Sequence, residues 1–249
     1  STRYFYDVKD IIMVRFKCKL YLLPAPIDEN GLASIPAEAI RIMHSLDHFI
    51  VERARTSRRY ISSTKPPKKI EGLIIEEMPE DVANTKLMEA QMQPLLDGKD
   101  MGILSEAGMP ALADPGSKYV VMAQRLGIRV VPLAGASRIM MALIASGVEG
   151  KRFAFHGYLS AKKEDLANEI RDLARRADRD DATQIWIETP YRNKQVMEAV
   201  EKYLEPKRMF CIAAGIGNWD GFVITRQINA WRRSGWPEIH KIPTVFLLK

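Results

Sequence analysis

Ser105-Glu-Ala-Gly-Met-Pro-Ala-Leu-Ala-Asp-Pro-Gly-Ser117 and, after one helical stretch, Val131-Pro-Leu-Ala-Gly-Ala-Ser137 decide the fold. Each loop follows a short apolar run (101–105 and 128–132) and each leads toward a helix. Strand, glycine- and proline-bearing loop, then helix is the signature of an open parallel α/β sheet, whose ligands sit outside the carboxyl ends of its strands. The small residues Ala107, Gly108, Ala111, Ala134, Gly135 and Ala136 would let backbone groups approach a ligand closely. They equally suit tight turns between strand and helix, and the spacing alone leaves both readings open.

Working outward, further strands are predicted at 19–23, 49–52 and 73–76, with helices at 36–45 and 83–96, the latter kinked or ended by Pro94. Asp114, Pro115 and Gly127 bracket one helix as cap, first-turn proline and terminal glycine, and Ser137 and Gly147 bracket the next. A polar, glycine-containing stretch over 147–151 suggests a boundary between two α/β domains, 19–148 and 149–249. The second domain should hold helices at 163–176 and from Thr189 to about 203, and strands at 152–156, 184–188, 208–213, 222–225 and 243–248. The last three strands are close enough in sequence to include antiparallel pairs, so a mixed sheet is expected.

Composition narrows the function. The 249 residues are 47% apolar and 27% charged, with a formal charge of +6, an ordinary globular balance that excludes a disordered tail. The surplus positive charge suits an anionic partner such as nucleic acid, or simply solubility. No apolar run approaches the roughly 18–20 residues of a membrane helix, and the first twenty residues mix charged with apolar groups, so a cytoplasmic protein without a membrane partner is expected. Cys18 and Cys211 have neither a CxxC neighbour nor a histidine cluster, and both read as reduced, buried thiols. His44, His48, His156 and His240 show no metal spacing, and no metal is expected. There is no GxxxxGK[ST] loop and no GxGxxG between a first strand and a helix, which argues against an ATPase or a common dehydrogenase. Gly215, Gly217 and Gly221 read as a turn between strands.

The segments LYLLPAPI (20–27), VERART (51–56), GILSEAGMPALADPG (102–116), IRVVPLAGAS (128–137), RFAFHGYLSAKK (152–163) and IETPYRNK (187–194), in this order, resemble the tetrapyrrole (corrin/porphyrin) methylase superfamily. Within it, they are most similar to the bacterial ribosomal RNA small subunit methyltransferase I subgroup, whose members methylate a cytidine ribose 2'-oxygen in 16S rRNA. The likeness begins near residue 19, leaving 1–18 as an amino-terminal extension. It implies a two-domain fold with S-adenosylmethionine in the cleft between the domains, a homodimer, and 16S rRNA or the 30S subunit as partner.

By position, the resemblance assigns cofactor contacts to Pro24, Ala25, Pro26, Ile27, Ser105, Glu106, Ala107, Gly108, Pro110, Ala111, Ala136 and Ser137. From the second domain it adds Glu188, Thr189, Ala213, Pro243 and Thr244. The chain departs from the subgroup at several of these motifs. Pro-Thr-Pro-Ile-Gly-Asn is Pro24 to Glu29 here, Glu-Asp-Thr-Arg is Glu52-Arg53-Ala54-Arg55, Asp-Ala-Gly-Thr-Pro is Glu106 to Pro110, and Arg-Glu-Leu-Thr is Ala214 to Gly217. These differences keep open methylation of a tetrapyrrole or another small molecule, or an inactive relative that retains only the cofactor site.

A ribose acceptor needs a base for its proton, and Glu106 and Glu188, with Glu52 and Asp114, lie near predicted strand ends. Each also has a structural reading, as helix cap or arginine partner. Arg53, Arg55, Arg58, Arg59, Lys65, Lys68 and Lys69 place seven cations in seventeen residues. That strip reads either as a phosphate track or as a solvated loop. Tyr60 or Tyr191 would stack on an exposed base, and Arg55, Arg58, Tyr191 and Arg192 are the substrate candidates.

Overall fold

The computed structural model describes residues 18–28, 31–81 and 84–249. The amino-terminal extension, Cys18 apart, and the start of the helix expected from 83 lie outside the described residues. The chain forms two compact units that divide between Ala136 and Ser137.

In the first unit five parallel strands, β1 (Lys19–Leu23), β2 (His48–Val51), β3 (Ile74–Glu77), β4 (Met101–Leu104) and β5 (Arg129–Pro132), lie in the order β3-β2-β4-β1-β5. β2 and β4 are buried along their whole length, as continuous apolar runs in a parallel sheet covered on both faces should be. Alternate strand residues divide the core. Leu23, Phe49, Val51 and Leu104 pack with Met43 of α1 (Ala37–Ser45) and Ile61 of α2 (Ala54–Ser63). Leu20, Ile50, Met101 and Ile103 pack on the other face with Met88 of α3 (Thr85–Gln91), Leu95 of α4 (Gln93–Leu96) and Tyr119 of α5 (Gly116–Arg125). The helix expected over 83–96 is thus two, broken at Met92, with Pro94 in the first turn of the second, where its missing N–H costs nothing.

The second unit opens with α6 (Arg138–Ser146), which packs against its sheet of β6 (Phe153–Tyr158), β7 (Thr183–Glu188), β10 (Thr244–Leu248), β8 (Met209–Ala214) and β9 (Phe222–Gln227), in that spatial order. This corrects the boundary expected after 148: the polar stretch at 147–151 is only a loop, and one face of α6, with Ile139, Ala142 and Leu143, is buried on the side of β8, β9 and β10, while Met140 and Ile144 are exposed. The β6–β7 pair is parallel and the remaining pairs are antiparallel, the mixed sheet expected. Trp186, Phe210 and Phe246 stack at 5.7 to 6.0 Å across three neighbouring strands. They lie in one core with Ile170 of α7 (Lys163–Asp180), Val200 of α8 (Asn193–Tyr203) and Trp231 of α9 (Ile228–Ser234). The helix expected from Thr189 begins instead at Asn193, after a turn closed by Arg192 N–H on the Thr189 carbonyl at 2.9 Å.

Cys18 and Cys211 are free and buried, as expected. Among the described residues no helix is long and apolar enough to cross a membrane.

Candidate functional site

In the first unit, the loops after β1, β2, β4 and β5 meet at the carboxyl edge of the parallel sheet. Ala25 and Gly108 form an isolated antiparallel bridge, exchanging backbone hydrogen bonds of 2.8 and 3.0 Å. The β2 loop joins through Glu52, whose carboxylate accepts the Glu106 N–H at 3.0 Å. The β5 loop joins because Gly135 lies against Pro24: a Cβ on Gly135 would fall 2.2 Å from the proline Cβ. Gly108 stands at φ +75°, a conformation that favours glycine, and a Cβ there would lie 3.3 Å from the Ala136 carbonyl oxygen. Tyr60 closes the set from α2, its hydroxyl donating to the Pro24 carbonyl at 3.0 Å.

The structure therefore brings Pro24, Ala25, Pro26, Ile27, Ser105, Glu106, Ala107, Gly108 and Ala136 to one edge. Pro110 and Ala111 lie further along, where the loop turns toward α5. There Asp114 accepts the N–H groups of Ala111 at 2.9 Å and Gly116 at 2.8 Å, so it organises the helix start from just outside the cap position it was expected to hold. Burial raises the Asp114 carboxyl against the lowering effect of those donors, and the Glu52 charge adds to the rise. Glu106 is exposed, with Thr56 Oγ1 donating to its carboxylate at 3.2 Å.

In the second unit the candidates gather where β7 ends, β10 begins and β8 ends. Thr244 is in register with both Glu188 and Ala214, and Ala213 lies one residue inside β8, opposite Val245. Glu188 is buried; its Oε1 accepts the Thr189 N–H at 2.8 Å and a hydrogen bond from Arg192 Nη1 at 3.1 Å, while Oε2 has no partner among the described residues. Burial pushes the Glu188 carboxyl above its ordinary range, opposed by those two donors. Asn193, missed in the sequence because it fell inside the helix expected from Thr189, donates Nδ2 to the carbonyls of Ile239 and Ile242, both at 2.8 Å. It also reaches Thr244 Oγ1 at 3.2 Å, which fixes the approach to β10 beside the exposed Thr189 and Pro243. Ser137 caps α6, its hydroxyl accepting the Met140 N–H at 3.4 Å.

The substrate candidates fare unevenly. The cationic strip is no loop in its first half: Arg55 and Arg58 lie exposed on α2, whose buried face carries Ser57, Tyr60 and Ile61. Burial of Tyr60 against Pro24 rules out its stacking on a base. Arg192 turns inward, donating to Glu188 and to the carbonyls of Leu159 and Ser160, so it is occupied by the fold. Tyr191 is 69% exposed and meets His240 edge-on at 5.8 Å. His156 bonds Gln184 Oε1 at 2.7 Å.

Residues 19–221 match the tetrapyrrole (corrin/porphyrin) methylases. The chain belongs to this family. Its relatives within the tetrapyrrole methylases include the ribosomal RNA small subunit methyltransferase I of Bacillus subtilis, 30% identical over 74% of this chain. Another is the protein of the same name from Escherichia coli O157:H7, 27% identical over 92% of this chain and 71% of its own length. The chain spans 59% of the length of the Bacillus relative. Among solved structures, diphthine synthase superposes with a TM-score of 0.64 at 14% identity, covering 93% of this chain and 89% of its own, a likeness of fold alone.

Proposed function

We propose that this tetrapyrrole methylase is a cytoplasmic, homodimeric, S-adenosylmethionine-dependent methyltransferase that methylates 16S ribosomal RNA, in the 30S subunit, at a ribose 2'-oxygen. The observation that carries the reading is the similarity, over most of the chain, to relatives named ribosomal RNA small subunit methyltransferase I.

The first-unit edge fits the cofactor chemically. Adenosine and a methionine chain want an apolar slot with a few polar partners. Pro24, Ala25, Ile27 and Gly108 are buried and form a floor braced by the Ala25–Gly108 bridge, above which Pro26, Ala107 and Ala136 keep small apolar surface for a ligand. Glu188 Oε2, buried without a partner among the described residues, supports a hydrogen-bond donor arriving in the second unit.

S-adenosylmethionine supplies an activated methyl group on a sulfonium, and the protein's share is alignment and exclusion of water. A ribose hydroxyl must lose its proton as it is methylated. Asp114 and Glu52 hold backbone N–H groups and Glu188 holds Arg192, so the exposed Glu106, steadied by Thr56, is the carboxylate left to take that proton. Arg55 and Arg58 on α2 would meet the phosphate backbone.

The test is transfer of a tritiated methyl group to purified 30S subunits, with uroporphyrinogen as the competing acceptor. Label in 16S rRNA that resists alkali at one ribose supports the reading; label in the tetrapyrrole alone contradicts it.

A further inference from the structure

Trp219 is 97% exposed, while Trp186 and Trp231 are buried and Trp236 is half-buried, with its Nε1 donating to Glu201 at 2.7 Å. Trp219 stands in the turn 215–221 between β8 and β9. The turn is closed by the Asn218 N–H on the Gly215 carbonyl at 2.9 Å and the Gly221 N–H on the Asn218 carbonyl at 3.1 Å. Its base is anchored to the loop just before β10 by the Gly215 N–H on the Pro243 carbonyl at 2.9 Å. Gly221 passes so near that a Cβ on it would fall 2.2 Å from the Gly215 oxygen. The backbone is thus fixed around an indole that packs on almost nothing among the described residues.

The position is informative. Ala214, the last residue of β8, is in register with Thr244, and Thr244 with Glu188, so the turn rises from the edge of the second sheet that holds that unit's candidate residues. Arg138 donates its Nε–H to the Ile216 carbonyl at 3.4 Å, and the exposed Lys241 lies two residues before the anchoring Pro243. The Arg138 guanidinium therefore stands at the base of the turn, and Asp220 follows the indole in the chain. The chain neighbours of Trp219 are Gly217, Asn218, Asp220 and Gly221. This is a lone aromatic ring among polar residues and glycines, unlike the contiguous apolar patch of a protein interface. A flat, fully presented ring on a fixed polar turn matches the face of one unstacked nucleobase.

We infer that Trp219 is a substrate-binding residue that stacks on a nucleobase of the RNA; the inference rests on the ribosomal RNA reading above. The turn is also where this chain has Ala214 to Gly217 in place of the subgroup's Arg-Glu-Leu-Thr, so the ring would set a recognition contact of this chain's own.

The experiment compares the wild type with Trp219→Phe and Trp219→Ala in fluorescence titrations with single-stranded RNA from the target region and in methyl transfer to 30S subunits. Expected are quenched indole emission on RNA binding by the wild type, about tenfold weaker RNA binding by the alanine variant, and an intermediate phenylalanine variant. KM for 30S subunits should rise about as much in the alanine variant, with kcat within about twofold and cofactor affinity unchanged. An alanine variant that binds RNA as the wild type does overturns the assignment. So does one that loses self-association while keeping RNA affinity, since the ring would then serve a protein contact. If the wild type neither binds RNA nor methylates 30S subunits, the underlying reading falls and this assignment with it.

Discussion

Ala25 and Gly108 exchange two backbone hydrogen bonds across the carboxyl edge of the first sheet, the Ala25 N–H donating at 2.8 Å and the Gly108 N–H at 3.0 Å. β1 and β4 are parallel neighbours in the sheet, and beyond their last paired residues the two loops that follow them meet again in this isolated bridge of antiparallel sense. The two N–H groups are spent on each other, so the bridge acts as a brace that orders the loops before a ligand arrives.

Gly108→Val should therefore damage the edge selectively. A side chain at φ +75° costs about 1–3 kcal/mol, and its Cβ would press on the Ala136 carbonyl at 3.3 Å. The expected outcome is a folded protein with a lowered Tm and at least tenfold weaker S-adenosylmethionine binding. Circular dichroism melting and calorimetry check the two halves, and unchanged cofactor affinity would move the proposed site elsewhere.

Tyr60→Phe removes the hydroxyl that donates to the Pro24 carbonyl and leaves that carbonyl without its donor. A loss of about 1 kcal/mol is expected in urea unfolding. Burial pushes the Tyr60 hydroxyl up to about 12 from an ordinary 10.0. Its contribution is complete below pH 10 and declines as pH rises toward 12. The wild type and the phenylalanine variant should therefore converge in stability over that interval.

Glu188→Gln gives the acid-side counterpart. The buried carboxyl lies above its ordinary 4.5, so the native state holds its proton longer than the unfolded chain does. Stability then falls as pH rises from 4.5 through the raised value. The glutamine variant lacks that titration. The stability difference, wild type minus variant, should decline across this range and level off above it, as read by unfolding at a series of pH values.

Cys211 is fully buried and its thiol is pushed up to about 11 by burial; the Cys18 thiol, also buried, is raised too and donates to the Leu95 carbonyl at 2.9 Å. Neither should react with a thiol reagent at pH 8 in the native protein, and both should react once urea unfolds it. Rapid native labelling of Cys211 would contradict the packing of β8.

The strands and most helices were legible because the apolar runs of β2 and β4 are buried on both faces and glycine, proline and capping residues punctuate the chain. The domain boundary was not. The apolar residues of α6 do not name the sheet that covers Ile139, Ala142 and Leu143 or show that Ile144 stays exposed, and the polar loop after the helix looks like a linker. α2 was hidden by its charge: Arg55, Arg58 and Arg59 mask a helical face made of Ser57, Tyr60 and Ile61. The convergence of the β1, β4 and β5 loops followed from sheet topology, whereas the roles of Glu52, Asn193 and the inward-turned Arg192 depend on contacts that no local pattern encodes. Trp219 read as part of a turn, and its isolation becomes visible only once every other indole has been placed.

The most direct test of the account is calorimetric titration of the protein with S-adenosylmethionine and S-adenosylhomocysteine. The account predicts saturable binding at one site per chain, with an affinity on the order of micromolar, weakened by Gly108→Val and unaltered by Trp219→Ala. No binding of either compound would contradict it, leaving the family's fold without the proposed methyl-donor chemistry.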